Sequence, residues 1–183
     1  MADMLTLEKF EEASEIVKEV TSETKLIYSE FFSNQTGNKV YLKPENMQYT
    51  GAYKLRGAYY KISTLTDEER SKGLIAASAG NHAQGVALAA TRMGIKSVVC
   101  MPDGAPISKV EATKAFGAEV CLHGATYDDA FNIAEYAIPA MQYAAGSGII
   151  VGKTSSTLNP EDNATRAEIA VILHRFIEKN KKI

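Results

Sequence analysis

The sequence is poor in cysteine and histidine and has no tryptophan. Its 183 residues include two cysteines, Cys100 and Cys121, and three histidines. Two cysteines are too few for a disulfide framework, and the cysteines and histidines are too scattered for a tetrahedral metal site. Because both cysteines lie in apolar, strand-like runs, we expect two buried free thiols. The sequence therefore predicts neither a metal centre nor a disulfide-stabilised fold.

Excess charge and long apolar runs are also lacking. The formal net charge is -2, which gives no electrostatic reason to expect a nucleic acid or an anionic membrane as a partner. No stretch approaches the ~20 apolar residues of a membrane span, and the first residues lack the basic region and apolar run of a signal peptide. We therefore expect a cytoplasmic protein that binds neither nucleic acid nor membrane. Hydrophobic residues make up 45% of the chain, enough for a sizeable core.

Short apolar runs alternate with helical patterns in the middle of the chain. Strands are predicted at Leu74–Ala77, Ser97–Met101 and Glu119–Leu122, and helices at residues 83–93, 107–116 and from residue 127. Alternation over short connections favours a parallel sheet with right-handed crossovers. The strands are almost continuously apolar, which indicates helices on both faces. The predicted fold class is α/β, an open parallel sheet with flanking helices.

Two helix starts are marked in the N-terminal part of the chain. Thr6 predicts the start of a helix that extends to about residue 20, with an inner face marked by Leu7, Phe10, Ala13, Val17 and Val20. Thr66 and Glu69 have the spacing of a capping box, in which each side chain bonds to the other residue's backbone N–H. A short helix is therefore expected after Thr66.

Lys54 occupies an unusual position for a lysine. It follows a Thr-Gly-Ala turn and opens a short apolar helix marked by Leu55, Ala58 and Ile62. The positive end of the helix dipole penalises a cation there by roughly 0.3–1 kcal/mol, so the neutral amine is favoured. A neutral, desolvated amine is a nucleophile that forms a Schiff base with an aldehyde. Taken alone, such a lysine is more often a solvated surface residue.

A turn of small residues follows the first predicted strand of the sheet. It contains Ser78, Ala79 and Gly80 and leads into a helix through Asn81 and His82. Free backbone N–H groups at a helix start bind anions such as a carboxylate. The carboxyl edge of a parallel sheet is also where α/β proteins usually bind ligands. By itself, such a turn is more often a connector that binds nothing.

Both segments resemble one family of enzymes. Residues 45–58 have the sequence Glu-Asn-Met-Gln-Tyr-Thr-Gly-Ala-Tyr-Lys-Leu-Arg-Gly-Ala. This segment resembles the cofactor-lysine signature of the serine/threonine dehydratases, which are pyridoxal-phosphate enzymes with a tryptophan synthase β-like fold. Many members carry Ser-Phe before the lysine where this chain has Ala52-Tyr53. Residues 78–85, Ser-Ala-Gly-Asn-His-Ala-Gln-Gly, are similar, residue for residue, to the substrate loop of threonine dehydratases. The resemblance covers roughly residues 5–136.

The resemblance implies a cofactor, a set of site residues and a reaction. The cofactor is pyridoxal 5'-phosphate, bound covalently by Lys54, which also removes the Cα proton of the substrate. Tyr53 and Asn81 are the other implied cofactor-binding residues, with Asn81 at the ring oxygen. The substrate carboxylate is expected among Ser78, Ala79, Gly80, Asn81 and His82. The implied reaction of this threonine ammonia-lyase family is an α,β-elimination of L-threonine or L-serine, in which the β-hydroxyl leaves and hydrolysis of the released enamine gives a 2-oxo acid and ammonia.

Racemisation of serine is the alternative within the same chemistry. It needs a second acid/base group on the opposite face of the substrate, and the racemases that the chain resembles have a serine where this chain has Ala79. Ala79 therefore favours elimination. The implied partners are a small amino-acid substrate and either further copies of this chain or a complementing chain.

The last part of the chain has a different pattern. Family members are about twice this length, and their second half supplies a glycine-rich loop for the cofactor phosphate and a partner for the pyridine nitrogen, neither of which is found here. Residues 140–178 resemble a single S-layer homology (SLH) repeat, with a Leu-Asn-Pro turn at 158–160 and a second capping box. We predict a dehydratase-like part at residues 1–137 and a small helical hairpin at residues 138–183.

The tail suggests a hypothesis of another class, a catalytically inactive fusion or a cell-wall-associated module. SLH repeats normally act in threes on exported proteins, so a cell-wall polysaccharide is not an expected partner. Cofactor retention separates the hypotheses, because only the enzyme lineage is expected to bind pyridoxal phosphate through Lys54.

Overall fold

The computed structural model describes residues 5–135 together with residues 157 and 158. Short 3-10 helices lie at Val17–Glu19 and Glu45–Met47. In chain order, the other elements are α1 (Leu7–Ile16), β1 (Ile27–Tyr28), α2 (Glu30–Thr36), β2 (Tyr41–Leu42), α3 (Lys54–Ser63), α4 (Asp67–Ser71), β3 (Leu74–Ala77), α5 (Asn81–Arg92), β4 (Ser97–Met101), α6 (Ile107–Ala115), β5 (Glu119–Leu122), α7 (residues 127–135) and β6 (Thr157–Leu158).

A parallel sheet forms the centre of the molecule, in the order β3-β4-β5-β6. In the β3–β4 pair Leu74 lies opposite Ser97, and in the β4–β5 pair Val98 lies opposite Glu119. The three predicted strands are confirmed with their predicted bounds. The prediction of an α/β fold with an open parallel sheet is confirmed as well. Strands β1 and β2 form a separate antiparallel pair.

Helices cover both faces of the sheet, as the apolar strands predict. On one face, Val99 and Val120 pack with Ala83 and Ala87 of α5 and with Val110 of α6. Because side chains alternate along a strand, the neighbouring positions point to the other face. There Cys100 and Cys121 pack with Ala130 and Ala134 of α7. The two cysteines are buried free thiols, as expected, and lie opposite each other in neighbouring strands.

Several helix ends confirm the capping patterns. The Thr66–Glu69 capping box is formed, and the Thr6 side chain accepts a hydrogen bond from the N–H of Lys9. The prediction for the inner face of the first helix is confirmed at Val17 and Val20, which are buried, and is wrong at Leu7 and Phe10, whose side chains are 72% and 59% exposed. The periodicity correctly indicates an amphipathic helix, but no other described element covers this part of its apolar face.

Strand β6 is an addition that the sequence analysis did not predict. Thr157 pairs with Val120, so a short piece of the C-terminal segment extends the central sheet. The pairing gives the edge of β5 partners for its backbone N–H and C=O groups. Residues 136–156 and 159–183 lie outside the described part of the chain. The helical hairpin and the boundary after residue 137 therefore stay predictions.

None of the described helices is long and apolar enough to cross a membrane. This finding concerns only residues 5–135 and 157–158.

The packing of α5 against α3 depends on Gly85. A Cβ atom at this position would lie 3.3 Å from the Cα and N atoms of Leu55 and from the carbonyl carbon of Lys54. Backbone atoms at that distance cannot move aside as a flexible side chain can. Gly85 therefore allows the first turns of two helices to approach closely.

We expect Gly85→Ala to lower the free energy of unfolding by about 1–3 kcal/mol, as is typical of overpacking. Gly57→Ala is the matched control, because Gly57 is also in a helix but a Cβ there meets no atom within 4 Å. An alanine at this exposed helical position is expected to raise stability by roughly 0.5–1 kcal/mol. Urea unfolding of both variants measures the difference. Equal stabilisation by both substitutions would show that the close contact imposes no constraint.

Candidate active site

Lys54 is the first residue of α3, as predicted, but its surroundings differ from the expectation. Tyr53 occupies the N-cap position, and no side chain caps the helix. The side chains of Lys54 and Tyr53 are both exposed, Tyr53 to 62%. The expectation of a desolvated Lys54 amine is therefore wrong for the described part of the chain. The amine is accessible to a ligand that approaches the start of α3.

The small-residue turn lies where the sequence predicts it, at the carboxyl end of β3. Ser78, Ala79 and Gly80 are half-buried, and the N–H of Ser78 continues the sheet by donating to the carbonyl of Cys100 at 3.0 Å. Helix α5 begins at Asn81, two residues earlier than predicted. Gly80 is its N-cap residue and no side chain accepts from the first-turn N–H groups. Such a helix start is suited to binding an anion.

The close contact at Gly85 brings Lys54 near the start of α5. Packing of the surrounding atoms lowers the pKa of His82, although the residue is exposed, and the positive charge of Lys54 lowers it further. Lys54 and His82 are therefore close enough to interact electrostatically. The two sequence motifs, 31 positions apart at Lys54 and Gly85, meet in one site.

Lys109 is a member of this site that the sequence analysis did not identify. Its Nζ atom donates a hydrogen bond of 2.6 Å to Oδ1 of Asn81. Helix α6 carries Lys109, so the contact links α6 to the first residue of α5. On the other side of the turn, the hydroxyl of Tyr127 donates to the carbonyl of Ala77 at 3.3 Å. The distance of 28 positions between Asn81 and Lys109 hides their contact in the sequence.

A pair of charged side chains fixes the segment that leads to Lys54. The carboxylate of Glu45 accepts hydrogen bonds from Nε and Nη2 of Arg56, at 2.8 and 2.9 Å, and from Oγ1 of Thr24 at 2.8 Å. This bidentate pairing is the strong geometry for arginine and a carboxylate. The Arg56 guanidinium is the main cause that lowers the pKa of Glu45 from 4.5 to about 2. Both residues belong to the quoted motif, but spacing alone gave no signal for their contact.

Gln48 reinforces the same segment. Its side-chain amide accepts from the N–H of Ser22 at 2.9 Å and donates to the carbonyl of Ser22 at 3.0 Å. Gln48 is buried, with 4% of its surface exposed. The chain before the Thr-Gly-Ala turn is therefore bonded to residues 22–24. Together with the Glu45–Arg56 pair, this contact fixes the segment that leads into α3.

The described residues fit a cofactor that carries an aldehyde and a ring oxygen. Lys54 offers an accessible amine, and Asn81 offers an amide whose oxygen is already bonded to Lys109. Gln84, in the first turn of α5, has a buried Nε2 atom with no hydrogen-bond partner in the described residues, so a donor remains for a ligand or water. Within residues 5–135 and 157–158, no three side chains of His, Cys, Asp or Glu are grouped as a metal site requires.

Comparison with known proteins shows what the chain is similar to. A sequence profile of the family described as pyridoxal-phosphate dependent enzyme matches residues 17–170. An L-threonine ammonia-lyase of Thermotoga maritima is 51% identical over 131 residues, which cover 72% of this chain and 33% of the relative. The processed form of threonine deaminase isoform 2 from Solanum lycopersicum superposes with a TM-score of 0.66 at 33% identity, over 98% of this chain and 48% of that one.

The structure of maize serine racemase is similar as well. It superposes with a TM-score of 0.69 at 28% identity, over 97% of this chain and 50% of the racemase chain. The chain thus spans about half of these solved structures and a third of the Thermotoga relative. The family match also continues beyond residue 136, where we expected the resemblance to stop. The likeness of the tail to an SLH repeat stays a prediction.

We expect Glu45→Gln to lower the free energy of unfolding by about 1–2 kcal/mol at pH 7, because Arg56 loses its charged partner. The pKa of Glu45 is lowered in the folded state, so this stability is complete above pH 4.5 and is lost as the pH falls towards 2. The difference from the wild type should therefore shrink over that pH range.

Urea unfolding between pH 2 and 7 measures this effect. Glu15→Gln serves as the control, because Glu15 and its partner Lys18 are exposed on the surface. If Glu45→Gln were as stable as the wild type at pH 7, the Glu45–Arg56 ion pair would not stabilise this segment.

Proposed function

The chain belongs to the pyridoxal-phosphate dependent enzyme family, and on that premise we propose that its site serves the elimination of ammonia from L-threonine or L-serine. The observation that carries the proposal is the meeting of the Lys54 helix start with the turn at Ser78–Asn81 through the contact at Gly85. The Thermotoga maritima relative, an L-threonine ammonia-lyase, supports threonine as the substrate. The Cα proton and the β-hydroxyl would leave as water, and hydrolysis of the released enamine would give a 2-oxo acid and ammonia.

Lys54 and Asn81 hold the cofactor in this proposal. Bound pyridoxal phosphate supplies an electron sink for the bond that breaks at the substrate Cα. Nζ of Lys54 would bind the aldehyde carbon, and once the substrate's amine has replaced it there, the freed neutral amine would take the Cα proton. Nδ2 of Asn81 donates to the ring oxygen, because the other atom of the amide accepts from Lys109. Tyr53, next to Lys54 and exposed, is proposed to contact the cofactor ring.

The substrate carboxylate is proposed to bind at the start of α5. Ser78, Ala79 and Gly80 form the half-buried turn, and the uncapped N–H groups of the first turn provide donors for the two carboxylate oxygens. The lowered pKa of His82 keeps its imidazole neutral at pH 7. A neutral His82 can still donate one hydrogen bond and places no second positive charge beside Lys54.

Ala79 favours elimination over racemisation. A racemase needs an acid/base group on each face of the substrate Cα, and Ala79 has none to offer from the turn. The similarity to maize serine racemase, at 28% identity, supports the shared framework rather than the second reaction. Elimination requires a base on one face only, and Lys54 is the proposed base.

Cofactor titration tests the proposal directly. The visible absorbance of pyridoxal phosphate is followed as the 183-residue chain is added, for the wild type and for Lys54→Ala. Lys61→Ala is the matched control, because Lys61 lies in the same helix and is also exposed. The proposal expects a saturable change that is lost only in Lys54→Ala. No change with the wild type, or an equal change in all three proteins, would favour an inactive fusion.

We expect little threonine-deaminating activity from the 183-residue chain alone, below ~1 turnover per second. The chain spans a third of the Thermotoga relative, and Lys54 is exposed rather than enclosed. A misplacement of about 1 Å can cost on the order of a hundredfold in rate, and an open site does not exclude water. The measurement is release of 2-oxobutanoate from L-threonine with excess pyridoxal phosphate.

The full-length Thermotoga relative validates the assay, and Lys54→Ala gives its background. Turnover by the wild-type chain at ~1–1000 per second, lost in Lys54→Ala, would contradict this expectation and show that the described half of the site is sufficient.

A further inference from the structure

We propose that Lys109 is a positioning residue that sets the orientation of the Asn81 amide, so that Asn81 presents an N–H donor to a bound ligand. The identity of the ligand, the ring oxygen of pyridoxal phosphate, rests on the proposed function. The orientation itself rests only on the contact between the two side chains.

The direction of the hydrogen bond determines which atom of Asn81 faces Lys109. A lysine ammonium has three donors and no acceptor, so it can bond only to the oxygen of a side-chain amide. The distance from Nζ to Oδ1 is 2.6 Å, the short range of a charge-assisted hydrogen bond. Oδ1 therefore faces α6, and Nδ2 points away from Lys109. Without this contact, the amide could rotate by half a turn and present its oxygen instead.

The backbone of Lys109 is held firmly enough for this role. Its N–H donates to the carbonyl of Pro106 at 2.8 Å, and its carbonyl accepts from Oγ1 of Thr113 at 2.8 Å. Val110 and Thr113 of the same helix are buried, and Val110 packs against Val99 and Val120 of the sheet. Lys109 itself is half-buried, so its side chain has fewer alternative positions than a surface lysine has.

The orientation matters for a ligand that carries a negatively charged oxygen. An ionised ring oxygen accepts hydrogen bonds and is repelled by another acceptor. Nδ2 of Asn81 attracts such an oxygen, whereas a rotated Oδ1 would repel it. The positive charge of Lys109, one hydrogen bond away, strengthens the preference. A purely structural role for Lys109, as a link between α5 and α6, would not depend on the ligand's oxygen.

The test compares two probes and two variants of the complete chain. The probes are pyridoxal 5'-phosphate and 3-deoxypyridoxal 5'-phosphate, which lacks the ring oxygen. The variants are Lys109→Met and its matched control Lys114→Met, because Lys114 lies in the same helix and pairs with Glu111 instead. We expect Lys109→Met to weaken pyridoxal phosphate binding by about tenfold and to leave 3-deoxypyridoxal phosphate binding unchanged. Lys114→Met should change neither.

A ligand-free measurement keeps this test separate from the proposed function. The two Nδ2 protons of Asn81 are observed by NMR in the wild type and in Lys109→Met. Any primary amide gives two signals, so the readout is their chemical shifts, which should move to solvent-exposed values in Lys109→Met and stay unchanged in Lys114→Met.

The outcomes are distinct. Equal weakening of both probes by Lys109→Met, or no weakening, overturns the role of Lys109 towards the ring oxygen. Unchanged Asn81 signals in the ligand-free variant overturn the orientation itself. If the wild type binds neither probe, the proposed function fails, and the NMR comparison alone decides whether Lys109 orients Asn81.

Discussion

The contact between the backbones of α3 and α5 is the constraint on which the site depends. Gly85 allows the first turn of α5 to lie against Lys54 and Leu55 at a distance that a side chain would prevent. Leu55 is completely buried at this contact, so the start of α3 is fixed in the core while Lys54 projects from it. Since α5 follows β3 through the turn at Ser78–Gly80, the same contact sets the distance between Lys54 and the turn.

Polar contacts then orient the groups that the backbone brings together. Glu45 and Arg56 hold the approach to α3, and Lys109 holds the side chain at the start of α5. These interactions leave Lys54 itself without a described covering element. The described residues thus form one wall of a site, in agreement with a chain that spans about half of its solved neighbours.

The sequence patterns predicted the strands and helices because residues close together in the chain determine where these elements begin and end. The strands are short, apolar and bounded by turns, and the helices have caps within their own first turn, as at Thr66 and Glu69. Contacts between distant positions left no such signal. The pairs Glu45–Arg56 and Asn81–Lys109 and the strand at Thr157–Leu158 depend on how the elements pack. The exposure of Lys54 was mispredicted for the same reason, since burial depends on what covers a helix start and not on the dipole at its end.

The central proposal is that this packing makes Lys54 the one lysine among residues 5–135 that is placed to hold the cofactor. Borohydride reduction of the chain with pyridoxal phosphate, followed by peptide mass spectrometry, locates the labelled lysine. We expect the label to be concentrated on Lys54 in the wild type. In Gly85→Val, where the added side chain forces the two helix starts apart, we expect the label to be spread over several lysines. A label spread equally over exposed lysines in the wild type would contradict it.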